Sequence, residues 1–468
     1  MSETTATPPA AAVPSDKHPF GLYVLFSTEM WERFSYYGMR GLLMYYMTKE
    51  LFLGDPSTTV FGYATLKSVL ESFFGEMSVQ ALSSQLYGLY TGFVYLTPFF
   101  GGIIADRWLG QRKAVIVGGL LMACGEFMLM QQSLFLPALF LLILGNGFFK
   151  PNISTQVGNL YPAGDHRRDR AFSIFYVGIN VGATLSPLIA GTLGEKYGFK
   201  WGFCAAGVGM LLGLAFYLWG QRHLAPDNVM KQAAKNETEK AVEPLTTSDW
   251  NKIGALVVLC TLNIVFWGVY EQQGNTLALW VDSNCNRFIF GWEMPATWYQ
   301  SFNAAMIVGF TPIVLAFWKW QEHRKSEPSS VAKMGIGCFL LGLSFLVLLP
   351  GAAAVDADPT AKASLLSLTL CTAILTVGEL YLSPVGLSLV TKLAPARMVS
   401  MLMGMWFISS FFGNYFSGFM GSFWEKMSHK SFFMMLAGLA CFAGLAMFAL
   451  LKPLKKAISH GDAVEVDV

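Results

Sequence analysis

Long, nearly uninterrupted apolar runs recur from about residue 20 to residue 451, and they set the terms for everything else in the chain. A helix needs roughly 20 apolar residues to cross a bilayer core. Hydrophobic residues fill 54% of the 468 positions and charged residues only 13%, against roughly 25% charged in a soluble domain. That balance excludes a soluble globular enzyme, a disordered chain, a fibrous repeat and a secreted disulfide scaffold. The runs are continuous, not the alternating segments of roughly ten residues that build an outer-membrane barrel. The fold class is therefore an all-α membrane protein, with the lipid bilayer as a partner. A net charge of +2 gives no reason to expect nucleic acid.

Twelve spans are predicted, at about 20–48, 84–105, 112–132, 135–160, 170–193, 199–220, 251–281, 296–319, 331–350, 364–391, 398–424 and 431–451. An even number puts both termini on one side, and positive charge decides which side. With both termini cytoplasmic, the inner tails and loops hold 21 Lys and Arg and the outer loops 8; the other three of the 32, Arg33, Arg40 and Lys150, lie inside spans. The longest polar stretch, around KQAAKNETEKAVEP, divides the chain. The organisation read from this is a disordered cytoplasmic tail (1–19), a six-helix bundle (20–220), a cytoplasmic linker (221–250), a second six-helix bundle (251–452) and a cytoplasmic tail (453–468). Two similar halves around a midplane site is a transporter plan. The tail has no basic segment followed by an apolar core, so it is not a cleaved signal peptide. Six of the seven cysteines sit in apolar runs and only Cys285 in a polar connection, which leaves no loop pair to bridge.

Charge inside a span costs at least about 2.5–3.5 kcal/mol per residue at the helix centre and marks function. The ionisable residues within these spans are Glu29, Glu32, Arg33, Arg40, Glu126, Lys150, Glu271 and Glu379. No histidine joins them, so proton chemistry within the membrane falls to carboxylates. In span 1, positions 29, 32, 33, 36, 37 and 40 share one helical face. Glu29, Glu32, Arg33, Tyr36, Tyr37 and Arg40 thus form a stripe that cannot face lipid and is expected to face a wet cavity. Glu126 in Ala-Cys-Gly-Glu126-Phe-Met fits no motif and is left without a role. No Ser/His/Asp set, metal-ligand pattern or cysteine nucleophile lies in a span and no P-loop is present, which argues against an intramembrane enzyme and a nucleotide-driven pump.

The loop Gly102-Ile-Ile-Ala-Asp106-Arg107-Trp-Leu-Gly110-Gln-Arg112-Lys113 resembles the signature loop between spans 2 and 3 of the major facilitator superfamily. Glu29-x-x-Glu32-Arg33-Phe-x-Tyr-Tyr-Gly resembles the ExxER signature of the proton-dependent oligopeptide transporters within that superfamily. Further matches are Gly145-Asn-Gly147-Phe-Phe-Lys150-Pro151-Asn152, Phe175-Tyr176-Val-Gly-Ile-Asn180-Val-Gly182, Phe266-Trp267-Gly-Val-Tyr-Glu271-Gln272-Gln273-Gly274 and Gly378-Glu379-Leu-Tyr-Leu-Ser383-Pro384. The resemblance implies a major facilitator fold of twelve helices in two six-helix bundles. The linker here is too short and too polar to supply an extra helix pair between the halves.

The implied activity is import of di- and tripeptides with protons across a bacterial inner membrane, with the proton gradient as energy source, no cofactor and a functional monomer. A peptide is a zwitterion, and the sequence offers partners for both ends. Arg40 and Lys150 suit the carboxylate. Glu379 suits the ammonium, with Asn180, Asn303 and Ser383 as hydrogen-bonding groups. Tyr36, Tyr37, Tyr95, Tyr176, Trp267 and Trp406 suit as amphipathic walls. The resemblance assigns proton coupling to Glu29, Glu32, Arg33 and Glu271. It also pairs Arg40 with Glu271 as the outer gate and Lys150 with Glu379 as the inner gate. An alternative within the same group is transport of nitrate or another small anion, which Arg40 and Lys150 could hold.

Overall fold

The computed structural model describes residues 17–162, 165, 167–226, 246–394 and 398–459. Most of the predicted N-terminal tail, the middle of the linker and the last nine residues lie outside the described residues. The described chain contains twelve long helices: α1 Phe20–Tyr46, α2 Val79–Ile104, α3 Gln111–Met128, α4 Phe135–Asn159, α5 Arg167–Ser186, α6 Phe199–Gly220, α7 Thr247–Tyr270, α8 Gln300–His323, α9 Ser330–Leu346, α10 Leu365–Leu393, α11 Val399–Gly421 and α12 His429–Ser459. Among the described residues, nine helical segments are long and apolar enough to cross a membrane by length and composition. α1 is not one of them, because Glu29, Glu32, Arg33 and Arg40 interrupt its apolar length.

The helix starts carry polar caps. The Ser78 hydroxyl accepts from the Ala81 amide at 3.2 Å to open α2. Thr246 and Asp249 form a reciprocal capping box at the start of α7, satisfying amides that a helix would otherwise leave unpaired. α1 packs against α5 and α6, and α3 against α4; in the second half α9 lies against α10 and α12, and α7 against α11. One apolar core is built from residues 22–224 and another almost wholly from residues 253–447, with Tyr45 of α1 reaching across to join it. Phe20 at the start of α1 meets Trp219 and His223 beyond α6 at 6.0 and 4.9 Å between ring centroids. The first six helices therefore begin and end at the same face. The halves meet along α2 against α11 and α5 against α8.

Three local features go beyond the sequence reading. Between α1 and α2, Pro56–Thr59 and Tyr63–Phe74 form two short helices in place of a loop. Their apolar positions Tyr63 and Leu70 are buried, but the segment is far too short to register as a span. The predicted seventh span is broken: α7 ends at Tyr270, Glu271–Gln273 forms a 3-10 turn, and a separate helix runs Thr276–Asn284. Last, small strand pairs staple the connections, with Cys285–Asn286 parallel to Ala363–Ser364 and Phe288–Ile289 antiparallel to Trp292–Glu293.

The α2–α11 contact depends on missing side chains. A Cβ on Gly88 would lie 2.7 Å from both the Cα and the N of Gly418, closer than packed atoms can sit. Gly88→Val is therefore expected to keep the halves from meeting along this seam. In a background with the native cysteines replaced, a thiol introduced at Ser84, which is fully buried here, should be labelled several-fold faster in the valine variant. Equal labelling rates would show that the seam does not depend on these glycines.

Candidate functional site

Between the halves lies a cavity of about 300 Å³. It is lined by Tyr37 and Arg40 of α1, Tyr95 of α2, Tyr176 and Asn180 of α5, Trp267 of α7, Glu271 of the 3-10 turn, Asn303 of α8, Glu379 and Ser383 of α10, and Trp406 of α11. Side chains 37 to 406 thus converge from seven helices and the broken turn. Charges of both signs face one shared space. Glu379 accepts hydrogen bonds from the Tyr270 hydroxyl at 2.6 Å and the Asn303 amide at 3.2 Å. Asn303 is itself steadied by Thr376 Oγ1 at 3.0 Å. The Trp267 indole N–H is buried with no partner among the described residues.

Arg40 forms an ion pair with Glu271 across the halves, and its Nε donates to the Tyr87 hydroxyl at 2.7 Å. The break after α7 makes room for this. Gly274 passes so close to the Tyr87 hydroxyl and the Arg40 guanidinium that no side chain would fit there. The 3-10 turn frees polar groups for contacts between helices: the Gln273 carbonyl accepts from the Tyr299 hydroxyl at 3.2 Å. Ser84 donates to Asn275 Oδ1 at 2.7 Å, and Asn275 donates to the Ser417 carbonyl at 3.2 Å. Irregular backbone at membrane depth is tolerated where it is buried in protein or lines a cavity, and both hold here.

Further contacts between the halves gather at the same end, away from Phe20. Lys49 pairs with Asp282 at 2.6 Å. Glu195 accepts from the Ala296 and Thr297 amides at 2.9 and 2.7 Å and from Thr297 Oγ1 at 2.6 Å. The Trp298 indole donates to Thr192 at 2.7 Å. Ser78 donates to Glu425 at 2.6 Å. The cavity is thus sealed on the side predicted as outer.

With the outer pair made, the inner one stands open: Lys150 does not pair with Glu379 in this arrangement. Its ammonium sits 4.4 Å from the centroid of the Tyr95 ring, a cation–π contact, and among the described residues no carboxylate lies within ion-pair distance of it. Glu379 is engaged by Tyr270 and Asn303 instead. One expectation needs correction: the charged stripe of α1 does not face the cavity as a unit. Tyr37 and Arg40 do, but Glu29, Glu32, Arg33 and Tyr36 are buried between helices, with Glu32 at 0% and Arg33 at 5% exposure. Arg33 Nε lies 3.0 Å from Glu29 and 2.5 Å from Glu32, and its guanidinium stands over the Tyr36 ring at 5.4 Å. The reason is packing: α5 and α6 both close on α1 along this length.

Sequence reasoning missed several groups of the cavity and of its sealed end. Tyr270 stands next to Glu271 in the same motif, and Gln300 precedes Asn303 by one helical turn; both spacings were available as signals. Glu195 and Tyr87 lay in segments that carried no charge pattern of note.

A membrane-embedded, two-bundle helical protein with a charged cavity between its halves is a transporter. The comparisons with known proteins say which kind. The model of the POT family matches residues 112–238 and 227–436. A di-/tripeptide transporter of Lactococcus lactis subsp. cremoris is 33% identical over 94% of this chain and 96% of its own. The peptide transporter YePEPT of Yersinia enterocolitica is 31% identical over 86% of this chain and 88% of its own. A crystal structure of a peptide transporter POT in complex with sulfate superposes with a TM-score of 0.80 at 30% identity, covering 95% of this chain and 97% of that one. A POT family transporter in complex with 5-aminolevulinic acid gives 0.78 at 26% identity, covering 94% and 98%. The chain belongs to the POT family.

Glu195 caps the turn at Ala296 from the other half of the molecule. An N-terminal cap is worth about 1 kcal/mol, or roughly a fivefold change in a local opening equilibrium. Glu195→Ala should therefore speed hydrogen–deuterium exchange at the Ala296–Tyr299 amides by about that factor. Exchange as slow as in the parent would show that the cap does not hold the halves together.

Proposed function

We propose that this chain is a proton-coupled symporter that imports di- and tripeptides across a bacterial inner membrane by alternating access. The observation that carries the reading is the pairing of opposite charges in one cavity between the halves: Arg40 on one side, Glu379 with Asn303 on another, and aromatic walls between them. A zwitterion with variable side chains needs that combination. The peptide carboxylate goes to Arg40 and Lys150, and the ammonium to Glu379 with Asn180 and Asn303. Tyr37, Tyr95, Tyr176, Trp267 and Trp406 serve as walls, and Ser383 as a further hydrogen-bonding group. The bacterial relatives named as peptide transporters support the substrate class. The small-anion reading fits less well, because Glu271 and Glu379 share the cavity and would oppose a bare anion.

Twelve spans in two bundles, joined by the cytoplasmic linker without an extra helix pair and with both termini inside, complete the reading, and a monomer suffices. Arg40–Glu271 then holds the outer gate, with Lys49–Asp282 and the Glu195 cap beside it. Lys150 and Glu379 latch the inner side when the halves rock the other way. Pro151 in α4 and Pro384 in α10 lie within the helices that would bend. Glu29, Glu32, Arg33 and Glu271 carry the coupling: protonating an acid beside Arg33 changes the local charge by one unit and biases two conformations that differ in proton affinity.

Arg40→Ala and Glu379→Gln should each abolish dialanine uptake into proteoliposomes under an imposed proton gradient, with the protein still folded in detergent. Wild-type uptake by both would remove the charges from the site. Nitrate taken up in place of dialanine would turn the reading to the anion. Glu32→Gln fixes the protonated form, so it should lose gradient-driven accumulation yet retain peptide counterflow, which moves no net proton. Accumulation by Glu32→Gln would shift the coupling to Glu271.

A further inference from the structure

Glu126 belongs to none of the roles above, and its surroundings are unusual. It sits near the end of α3, 1% exposed. Its Oε1 accepts from the Ser35 hydroxyl at 3.3 Å, and its Oε2 has no partner among the described residues. Ser35 follows Glu32 by three residues on α1, so the two side chains are neighbours on one helix face. The Glu126 carboxyl thus docks one turn from the buried Glu29–Glu32–Arg33 cluster.

We propose that Glu126 is a second proton-binding carboxyl in the first half of the molecule, exchanging its proton with the Glu32 site during the transport cycle. This rests on the symport reading above. The first step is to ask which form fits this pocket. An ionised carboxylate here would be a buried charge with one neutral donor and no cation, an arrangement that proteins avoid. The carboxylic acid fits, and its hydroxyl is then a buried donor whose acceptor must come from a change in packing or from a neighbouring carboxylate.

The groups that face it narrow the choice. From α1 these are Ser35 and, one turn back, Glu32 with Arg33 and Glu29. From α2 it is Tyr90, which is buried and within electrostatic reach of Glu126 and Glu32. From α4 and α6 the contacts around this turn of α3 are apolar: Leu142 against Gly125, and Phe127 against Gly207. The cluster therefore contains three carboxyls and the Arg33 guanidinium, and the Lys150 ammonium of α4 acts on Glu29 and Glu32 from nearby. Arg33 and Lys150 can balance two negative charges, those of Glu29 and Glu32, and a third, on Glu126, has no cation to meet it. A proton must occupy the remainder. When Glu32 has released its proton, Glu126 is an acid outside the Arg33 pair, within electrostatic reach of Glu32, that can deliver another: the proton leaves the Glu126 hydroxyl and is taken up by the Glu32 carboxylate, and the Glu126 carboxylate so formed persists only until it takes up a proton in turn later in the cycle. Two linked acids then titrate as a pair, not as separate groups.

The test uses the full-length protein in proteoliposomes. Each coupled proton multiplies the limiting peptide accumulation by about ten for each imposed unit of pH gradient. Glu126→Gln, which keeps the shape and the Ser35 contact, should lower limiting dialanine accumulation about tenfold per pH unit relative to the parent and leave dialanine counterflow intact. Infrared difference spectra on adding dialanine should lose one protonated-carboxyl carbonyl band in the same variant. Equal accumulation with an unchanged spectrum would overturn the proposal and leave Glu126 a packing residue. Ser35→Ala keeps the test open if the glutamine variant folds poorly: removing the hydroxyl that donates to Glu126 should shift the pH dependence of driven uptake, and an unshifted profile would count against the proposal. A parent protein that shows no proton-driven accumulation would instead overturn the symport reading itself.

Discussion

A charge placed in hydrocarbon must find a partner, and every unusual feature of this chain answers that demand. Eight ionisable residues lie within its predicted spans, and the helices arrange themselves around them. Arg33 is held by Glu29 and Glu32 inside the first bundle. Arg40 reaches across to Glu271 of the second. Removing one member of a buried pair costs about 3–5 kcal/mol, because it strands the other. A bond of that size that also spans two bundles is both a structural tie and a switch. It holds one arrangement firmly, yet it can be exchanged for another if a ligand or a proton supplies the missing charge.

That exchange explains why the two sides of the cavity look so different. The closed end carries an ion pair at its centre and a rim of hydrogen bonds from Glu195, Thr192, Lys49 and Ser78 to the second half. Toward the other end, Lys150 leans on the Tyr95 ring and Glu379 rests on Tyr270 and Asn303. These are substitutes of modest strength, a neutral hydroxyl, an amide and an aromatic face where full charges could stand. They keep each group satisfied while leaving it available to a zwitterion.

The apolar runs made the helices legible, since a bilayer allows few other ways to satisfy a buried backbone. The charged positions were legible for the same reason; of these the cavity collects Arg40, Glu271 and Glu379, together with aromatic residues from Tyr37 to Trp406. What escaped was whatever hydropathy does not encode. The break at Glu271–Gln273 is a short polar stretch inside a run that otherwise reads as one span, and it depends on a close approach of Gly274 to a distant tyrosine. The short helices at 56–74 bury too little to stand out. The burial of Glu32 and Arg33 was misread because a stripe on one helix says only that it avoids lipid; whether water or a neighbouring helix covers it is decided by α5 and α6.

The path of α5 shows how finely the closed end is aligned. Beyond Ser186 the helix does not continue with the same winding: Pro187–Gly191 forms a π-helical turn, and only then does Thr192–Tyr197 resume as α-helix. Such a turn holds one residue more than the regular spiral, and one residue corresponds to a rotation of about 100°. Thr192 and Glu195, the two side chains that grip Trp298 and the Ala296 turn, come after this insertion and owe their azimuth to it. The extra residue acts as a phase adjuster. The span below it is oriented by lipid and by its own bundle, and the tip above it by the opposite bundle. A chain one residue shorter at this point would cross the membrane as well and turn its grip toward the wrong neighbour.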